Sequence, residues 1–203
     1  MVQNRSNEWQ NVGVANTDDG NAWHLATSQR IGRSVAARRK ELGMTALQLS
    51  ERCRDLGAPI HRSTITKIEN GRPRFDLGEL LVLAAALDTS PVRLVYPGPY
   101  DQNVEVIPGV DATEFVAAQW FSALVYYRII FDTDPDFDEV RAAAERWQDA
   151  VGTLRTARAL AKAERDQGVA RIFGDKAEIE QLSRDIAGLR GILDKLERRL
   201  PNA

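Results

Sequence analysis

The chain has 203 residues, of which 43% are hydrophobic and 28% charged, a balance typical of globular proteins with one or two buried cores. No apolar run approaches the roughly 18 residues that a membrane-spanning helix needs, and the amino-terminal residues lack the apolar segment of a secretory signal. The single cysteine, Cys53, excludes an internal disulfide. We therefore expect a cytoplasmic protein that does not enter the membrane.

The net charge of −2 is unevenly distributed along the chain. Residues 28–96 carry a net charge of +5, whereas residues 97–203 carry −5 and the first 27 residues −2. A basic segment joined to an acidic one favours a nucleic-acid-binding domain attached to a separate interaction domain.

Residues 1–25 are polar and predict a flexible tail. Residues 26–96 predict a domain of five short helices, each marked by apolar spacing and by capping or breaking residues. The five are a helix over about 27–42, one capped by Thr45 that contains Leu49 and Cys53, one over 62–69, one over about 77–87, and a short one opened by Pro91.

The helix predicted over 62–69 has two chemically different faces. Ile65 and Ile68 share one face and point towards a core. Asn70-Gly71 ends the helix, and Glu69 just before it needs a partner for its charge. The outward side carries four polar residues, Arg62, Ser63, Thr66 and Lys67.

Residues 28–96 resemble the lambda-repressor-like helix-turn-helix family, also called the Xre or Cro family. The resemblance rests on the motif STITKIENG at 63–71, on Arg39-x-x-Leu-Gly-Met at 39–44, and on Leu49-Ser50. Leu80-x-x-Leu-Ala and Leu87-Asp-Thr-Ser-Pro follow with matching spacing. In this family the helix that corresponds to 62–69 enters the major groove of double-stranded DNA.

The resemblance implies a role for each polar residue of the motif. Arg62, Ser63, Thr66 and Lys67 are expected to contact bases, with Arg62 the best candidate for a bidentate contact to guanine. Arg39 and Glu69 are expected to form an ion pair that joins the first helix to the third. The residues expected at phosphates are Thr45, Gln48, His61, Thr64, Asn70, Arg72 and Arg74.

Two features depart from the family pattern. The usual glutamine that opens the second helix and binds phosphate is Ala46 here, so Thr45 or Gln48 is expected to supply that contact. The segment between Ser50 and Glu69 is about five residues longer than in compact members. We therefore expect an extended turn before the recognition helix and a modified placement on DNA.

Residues 97–112 are rich in proline and glycine and predict a linker, in which Val104–Ile107 alternates like a short strand. Residues 113–131 predict a strongly apolar helix that contains Trp120 and Tyr127. Three roles stay open for this helix: the core of a carboxyl-terminal domain, a dimer interface, or the wall of a ligand pocket.

The carboxyl-terminal region, 113–203, is predicted to be helical with a heptad pattern, which makes the whole protein all-α. Gly168, Gly174 and a capping-box-like restart at Asp175 favour two helices, about 135–166 and 175–200, folded as a hairpin. The shared heptad register instead favours a long parallel coiled coil. The apolar residues expected to form a dimer or partner interface are Trp120, Tyr127, Ile179, Leu182, Ile186, Leu189, Leu193 and Leu196.

We find no pattern of catalytic, metal-binding or cofactor-binding residues, and we expect neither an enzyme nor a bound cofactor. The leading hypothesis is a bacterial or phage transcriptional regulator that represses from the nucleoid as a homodimer and reads DNA with helix 62–69. The alternative is a protein-interaction or scaffold module, antitoxin-like or phage regulatory, whose carboxyl-terminal helices bind a partner protein.

Overall fold

The computed structural model describes residues 17–126, 137–174 and 176–199, with the side chains of residues 17–19, 137 and 140 left out. The described part contains eight helices and one two-stranded sheet. The helix-rich fold predicted from the sequence is confirmed. None of these helices combines the length and the apolar content that crossing a bilayer requires.

The chain divides into two compact units, Met1–Ser122 and Ala123–Ala203. The first unit contains α1 (Thr17–Glu41), α2 (Ala46–Asp55), α3 (Arg62–Glu69), α4 (Leu77–Ala86) and α5 (Pro91–Val95). Its centre is formed by side chains with almost no exposure, one or more from each of these helices. They are Val35, Leu49, Cys53, Ile65, Ile68, Leu83, Leu87 and Leu94.

Helix α1 begins earlier than the sequence predicts. The helix starts at Thr17, so residues 17–25 are not the flexible tail that their polar composition indicates. Trp23 explains part of this extension, because its indole Nε1 donates to the carbonyl oxygen of Glu105 at 3.3 Å and ties the helix to the first strand. The first 16 residues of the predicted tail lie outside the described part of the chain.

The segment predicted as a linker is folded into the first unit. Strand β1 (Asn103–Ile107) pairs with β2 (Val110–Thr113) in an antiparallel sheet, and the register shifts between Glu105 and Ile107. Helix α6 (Glu114–Phe121) follows and ends ten residues before the predicted boundary at 131. Glu114 is buried and accepts a hydrogen bond from the backbone of Gly98, which fixes this addition to the helical domain.

The second unit is a hairpin of two antiparallel helices, α7 (Phe137–Phe173) and α8 (Lys176–Glu197). Arg190 pairs with Glu164 at 2.7 Å, and Gln167 donates to Ser183 at 2.8 Å, so the sequence runs in opposite directions in the two helices. Of the two predicted arrangements, the chain adopts the hairpin. Helix α7 passes through Gly168 and continues seven residues beyond the predicted end at 166.

Candidate nucleic-acid interface

Helix α2 begins with a reciprocal cap. The Thr45 hydroxyl accepts from the backbone N–H of Gln48 at 3.2 Å, and the Gln48 side-chain oxygen accepts from the backbone N–H of Thr45 at 2.8 Å. Both side chains are exposed at the helix start. Their capping bonds occupy the hydroxyl oxygen and the amide oxygen, so the Gln48 amide nitrogen is the donor that a phosphate can use.

The turn between α2 and α3 has six residues, Leu56 to His61, in agreement with the extended turn expected from the sequence. Gly57 turns the chain with a positive φ of 79°, and the Ser50 hydroxyl donates to the carbonyl oxygen of Ile60 at 2.7 Å. These features let a long turn hold the two helices in a fixed relation.

Helix α3 begins at a histidine cap. His61 Nδ1 accepts from the backbone N–H of Ser63 at 3.2 Å and lies 2.8 Å from the Ser63 hydroxyl. Because Ile65 and Ile68 are fully buried beneath the helix, its opposite side faces outward. The four predicted base-contact residues, Arg62, Ser63, Thr66 and Lys67, are all exposed on that side.

The two cations of this face are available to a ligand. Within the described residues, neither the Arg62 nor the Lys67 side chain makes a hydrogen bond or an ion pair with the rest of the protein. The Thr66 hydroxyl donates to the carbonyl oxygen of Arg62 at 3.1 Å and is partly occupied within the helix. Arg62 and Lys67 therefore offer charged donors among otherwise small polar side chains.

The predicted phosphate-contact residues differ in their exposure and in whether the protein already occupies their donors. His61, Asn70 and Arg74 are exposed, whereas Thr64 is half-buried. Arg72 is ion-paired with Glu79 and donates from Nε to the carbonyl oxygen of Arg74 at 2.6 Å. Arg72 therefore shapes the loop that follows α3, and Arg74 carries the free charge of that loop.

A bidentate ion pair holds α3 against α1. Arg39 donates from Nε to Glu69 Oε1 at 2.6 Å and from Nη2 to Glu69 Oε2 at 2.8 Å. Its Nη1 donates to the carbonyl oxygen of Met44 at 2.6 Å, so the same guanidinium also anchors the chain before α2. The hydrogen bond to Glu69 raises the pKa of Arg39, and both side chains are only 13% exposed. Glu69 thus has the partner that its position requires.

A close helix crossing supplements this pair. A Cβ atom at Gly32 of α1 would lie 2.1 Å from the carbonyl oxygen of Ile68, so only glycine allows the two backbones to approach this closely. Gly32 is not among the residues predicted from the sequence. The signal was available, because glycine is disfavoured inside a helix unless a contact or a bend requires it.

The predicted interface residues of the second unit form a stripe on α8 that faces α7. Ile186 is buried, and Ile179, Leu182, Leu189, Leu193 and Leu196 are half-buried, whereas most residues between them are exposed. A Cβ atom at Gly152 of α7 would lie 4.0 Å from the Leu196 side chain. The stripe is therefore used within the chain. Trp120 lies half-buried on α6 of the first unit, and Tyr127 lies outside the described residues.

Residues 35–94 match the family model described as helix-turn-helix. The matched segment runs from the second half of α1 to the end of the helical core and includes α2, the turn and α3. Neither a curated protein nor a solved structure matches the chain.

Residues 35–94 therefore match the lambda-repressor-like type of helix-turn-helix, a family of DNA-binding regulator domains. In the described part of the chain, His, Cys, Asp and Glu side chains form no group of three that could hold a metal ion.

Proposed function

We propose that the protein is a sequence-specific transcriptional regulator that binds double-stranded DNA as a homodimer and represses transcription at the nucleoid. The observation that carries the proposal is the exposed polar face of α3, held on a buried isoleucine pair. A helix of this kind fits the major groove, where base edges distinguish all four base pairs.

The contacts fall into two groups. Arg62, Ser63, Thr66 and Lys67 read bases. Thr45, Gln48, His61, Thr64, Asn70, Arg72 and Arg74 surround them at the phosphates and set the register of the helix without reading sequence. Arg72 acts mainly through its ion pair with Glu79, which holds the loop that carries Arg74. A bound dimer reads two half-sites about one helical turn apart and can exclude the polymerase there.

The test begins with selection of binding sites from a random-sequence duplex pool by the full chain. Enrichment of one motif supports the proposal, whereas equal weak binding to every sequence contradicts it. Band-shift titration of the selected duplex against a scrambled duplex then gives the specificity ratio, measured at one fixed salt concentration because affinity for DNA depends on salt.

A substitution of Arg62 tests the proposed base contacts most directly. We expect Arg62→Ala to weaken binding to the selected duplex by about 1–3 kcal/mol and to relax the preference at one base pair. Arg62→Lys keeps the charge but loses the bidentate geometry, so it should recover general affinity without recovering the preference. Arg171→Ala, which removes one exposed arginine from the second unit, is the control and should bind like the wild type. If Arg62→Lys retained the full preference, Arg62 would not be a base reader.

The exposed tip of the hairpin favours a second candidate function, a scaffold whose carboxyl-terminal helices bind a partner protein. Val169, Ile172 and Phe173 are 58%, 72% and 84% exposed at the end of α7, a cluster that a partner protein can cover. For this function the tip double variant Ile172→Ser/Phe173→Ser should abolish repression in cells while leaving DNA affinity in vitro unchanged. If the protein is a regulator without such a partner, the double variant should keep both repression in cells and DNA affinity in vitro.

A further inference from the structure

An open groove runs along one side of the hairpin in the second unit. It has a volume of about 580 Å³, and its walls come from both helices. Its small and apolar lining consists of Ala159, Ala163, Leu182, Gly188, Leu189 and Ile192. Its rim carries four charges, Lys162, Asp166, Arg184 and Asp185.

The hairpin does not cover its own apolar surface. Among the described side chains of α7 and α8, only Ala143, Ala144, Ala170 and Ile186 are buried. Ile192, which lines the groove, is 50% exposed, and Leu182 and Leu189 are only half-buried. Two helices that pack side by side shield only one stripe of apolar side chains on each helix from solvent, whereas four helices enclose a buried core. The groove is where further helices would complete that core.

The charges on the rim indicate which partner fits. Two are basic and two are acidic, and one pair, Lys162 and Asp166, already lies 2.5 Å apart. DNA or a uniformly charged protein would meet two like charges at this rim. A second copy brings the same neutral set of two positive and two negative charges, so the two rims carry no net repulsion against each other.

We propose that this groove is the homodimer interface, in which two copies of the hairpin pack groove to groove as a four-helix bundle. The inference rests on the proposed function, since it specifies how the regulator dimerises. It also assigns dimerisation to a different surface from the stripe of predicted interface residues on α8, because that stripe faces α7. Leu182 and Leu189 border both surfaces.

Two helical glycines provide a matched pair of variants. A Cβ atom added at Gly188, inside the groove, meets no atom within 4 Å, and the same holds at Gly168 on α7. Gly168 follows Ala159 by nine residues, or two and a half helical turns, so it lies on the side of α7 away from the groove. Replacing either glycine favours the helix, so neither Gly188→Glu nor Gly168→Glu should unfold the hairpin.

Sedimentation velocity of the full chain over a concentration series measures the dimer. We expect the wild type and Gly168→Glu to dimerise with the same constant. Gly188→Glu, which places a charged side chain in an apolar interface, should weaken dimerisation by about 100-fold or more. Circular dichroism should show equal helix content in all three proteins.

Three results would overturn the inference: a wild type that is monomeric at every concentration, a Gly188→Glu protein that dimerises like the wild type, or a dimer lost only in Gly168→Glu. The last result would place the interface on the opposite side of the hairpin. A complex with a foreign protein alone, without self-association, would count against a second copy as the occupant.

A band shift separates this inference from the proposed function. Gly188→Glu should keep wild-type affinity for a duplex with one half-site. It should lose the additional affinity that the wild-type dimer has for a duplex with two half-sites. If the wild type dimerises through the groove but selects no DNA sequence, the regulator proposal fails and the interface stands. If the wild type selects a DNA sequence but Gly188→Glu changes neither dimerisation nor binding to two half-sites, the groove is not the dimer interface and the regulator proposal is unaffected.

Discussion

Arginine side chains in the first unit serve two different purposes. Arg30, Arg38 and Arg52 donate to backbone carbonyl oxygens of Val95, Leu87 and Ala86, respectively, at 2.9–3.1 Å. Arg39 and Arg72 are committed to ion pairs. The number of basic side chains between residues 28 and 96, which is 12, therefore overstates the number that DNA can meet, because several of them are held at helix ends or in ion pairs.

The Arg39–Glu69 pair gives a prediction for stability. Arg39→Ala leaves the Glu69 carboxylate partly buried and unpaired, and we expect it to lower the free energy of unfolding by about 3 kcal/mol in urea denaturation. Glu41→Ala is the control, because it removes an exposed partner of Arg38 and should cost about 0.5 kcal/mol or less.

The double variant Arg39→Met/Glu69→Leu distinguishes the loss of the pair from the burial of a lone charge. It replaces both charges with apolar groups and should be more stable than either single variant. A cost of under 1 kcal/mol for Arg39→Ala would show that the pair contributes little to holding α3.

Cys53 gives a prediction for alkaline pH. Burial raises the pKa of its thiol above the ordinary value of 9.0, so the unfolded chain ionises first. The contribution of the protonated thiol to the free energy of unfolding is fully present below about pH 9. It is lost as the pH rises, at up to roughly 1.4 kcal/mol per pH unit. Burial also raises the pKa of Tyr96, which adds to the decline above pH 10.

The measurement is the free energy of unfolding of the wild type and Cys53→Ala between pH 7 and 10. The variant is expected to be less stable at neutral pH, because it leaves a cavity, but to lose less stability as the pH rises. Parallel curves for the two proteins would contradict the assignment of this decline to Cys53.

At the scale of elements, the position of α3 depends on its crossing with α1. Gly32→Ala improves helix propensity by about 1 kcal/mol, yet its Cβ would lie 2.1 Å from the Ile68 carbonyl oxygen and force the helices apart. We expect a net loss of about 1–3 kcal/mol in chemical denaturation and weaker DNA binding. Gly20→Ala on the same helix meets no atom within 4 Å and should be neutral or stabilising. Equal stability of the two variants would contradict the close crossing.

The sequence predicts the helices of the DNA-binding core well, because their signals are local. The starts predicted for α2, α3 and α4 from Thr45, Arg62 and Leu77 agree with the structure. Their caps and apolar spacing lie within a few residues of one another and need no tertiary information.

The errors arise where distant residues decide the structure. Residues 17–25 look like a polar tail until Trp23 meets Glu105, 82 positions away. The segment 97–112 looks like a linker because prolines and glycines dominate its local pattern, whereas the Gly98–Glu114 contact that attaches it to α6 depends on a residue beyond its end. At the candidate site, the exposed face and the Glu69 partner follow from the sequence, but the Gly32 crossing requires the fold.

At the scale of the whole molecule, the boundary of the first unit can be tested with fragments. A fragment of residues 17–122 keeps β1, β2 and α6, whereas one of residues 17–96 loses them and exposes Tyr96, which is 4% exposed and packs edge-on against Phe121. We expect the shorter fragment to melt at least about 5 °C lower, since 1 kcal/mol shifts the melting temperature of a domain this size by roughly 4–8 °C. Equal melting temperatures would mean that the sheet and α6 do not stabilise the helical core.

On α3, the residues that hold the helix and the residues that face outward are separate sets. Ile65, Ile68 and Glu69 fix the helix from below, and nothing in the described protein depends on the Arg62 or Lys67 side chains. Substitutions at these two positions should change stability by no more than about 0.5 kcal/mol. The domain can therefore acquire a new binding preference one side chain at a time, without passing through variants that fail to fold.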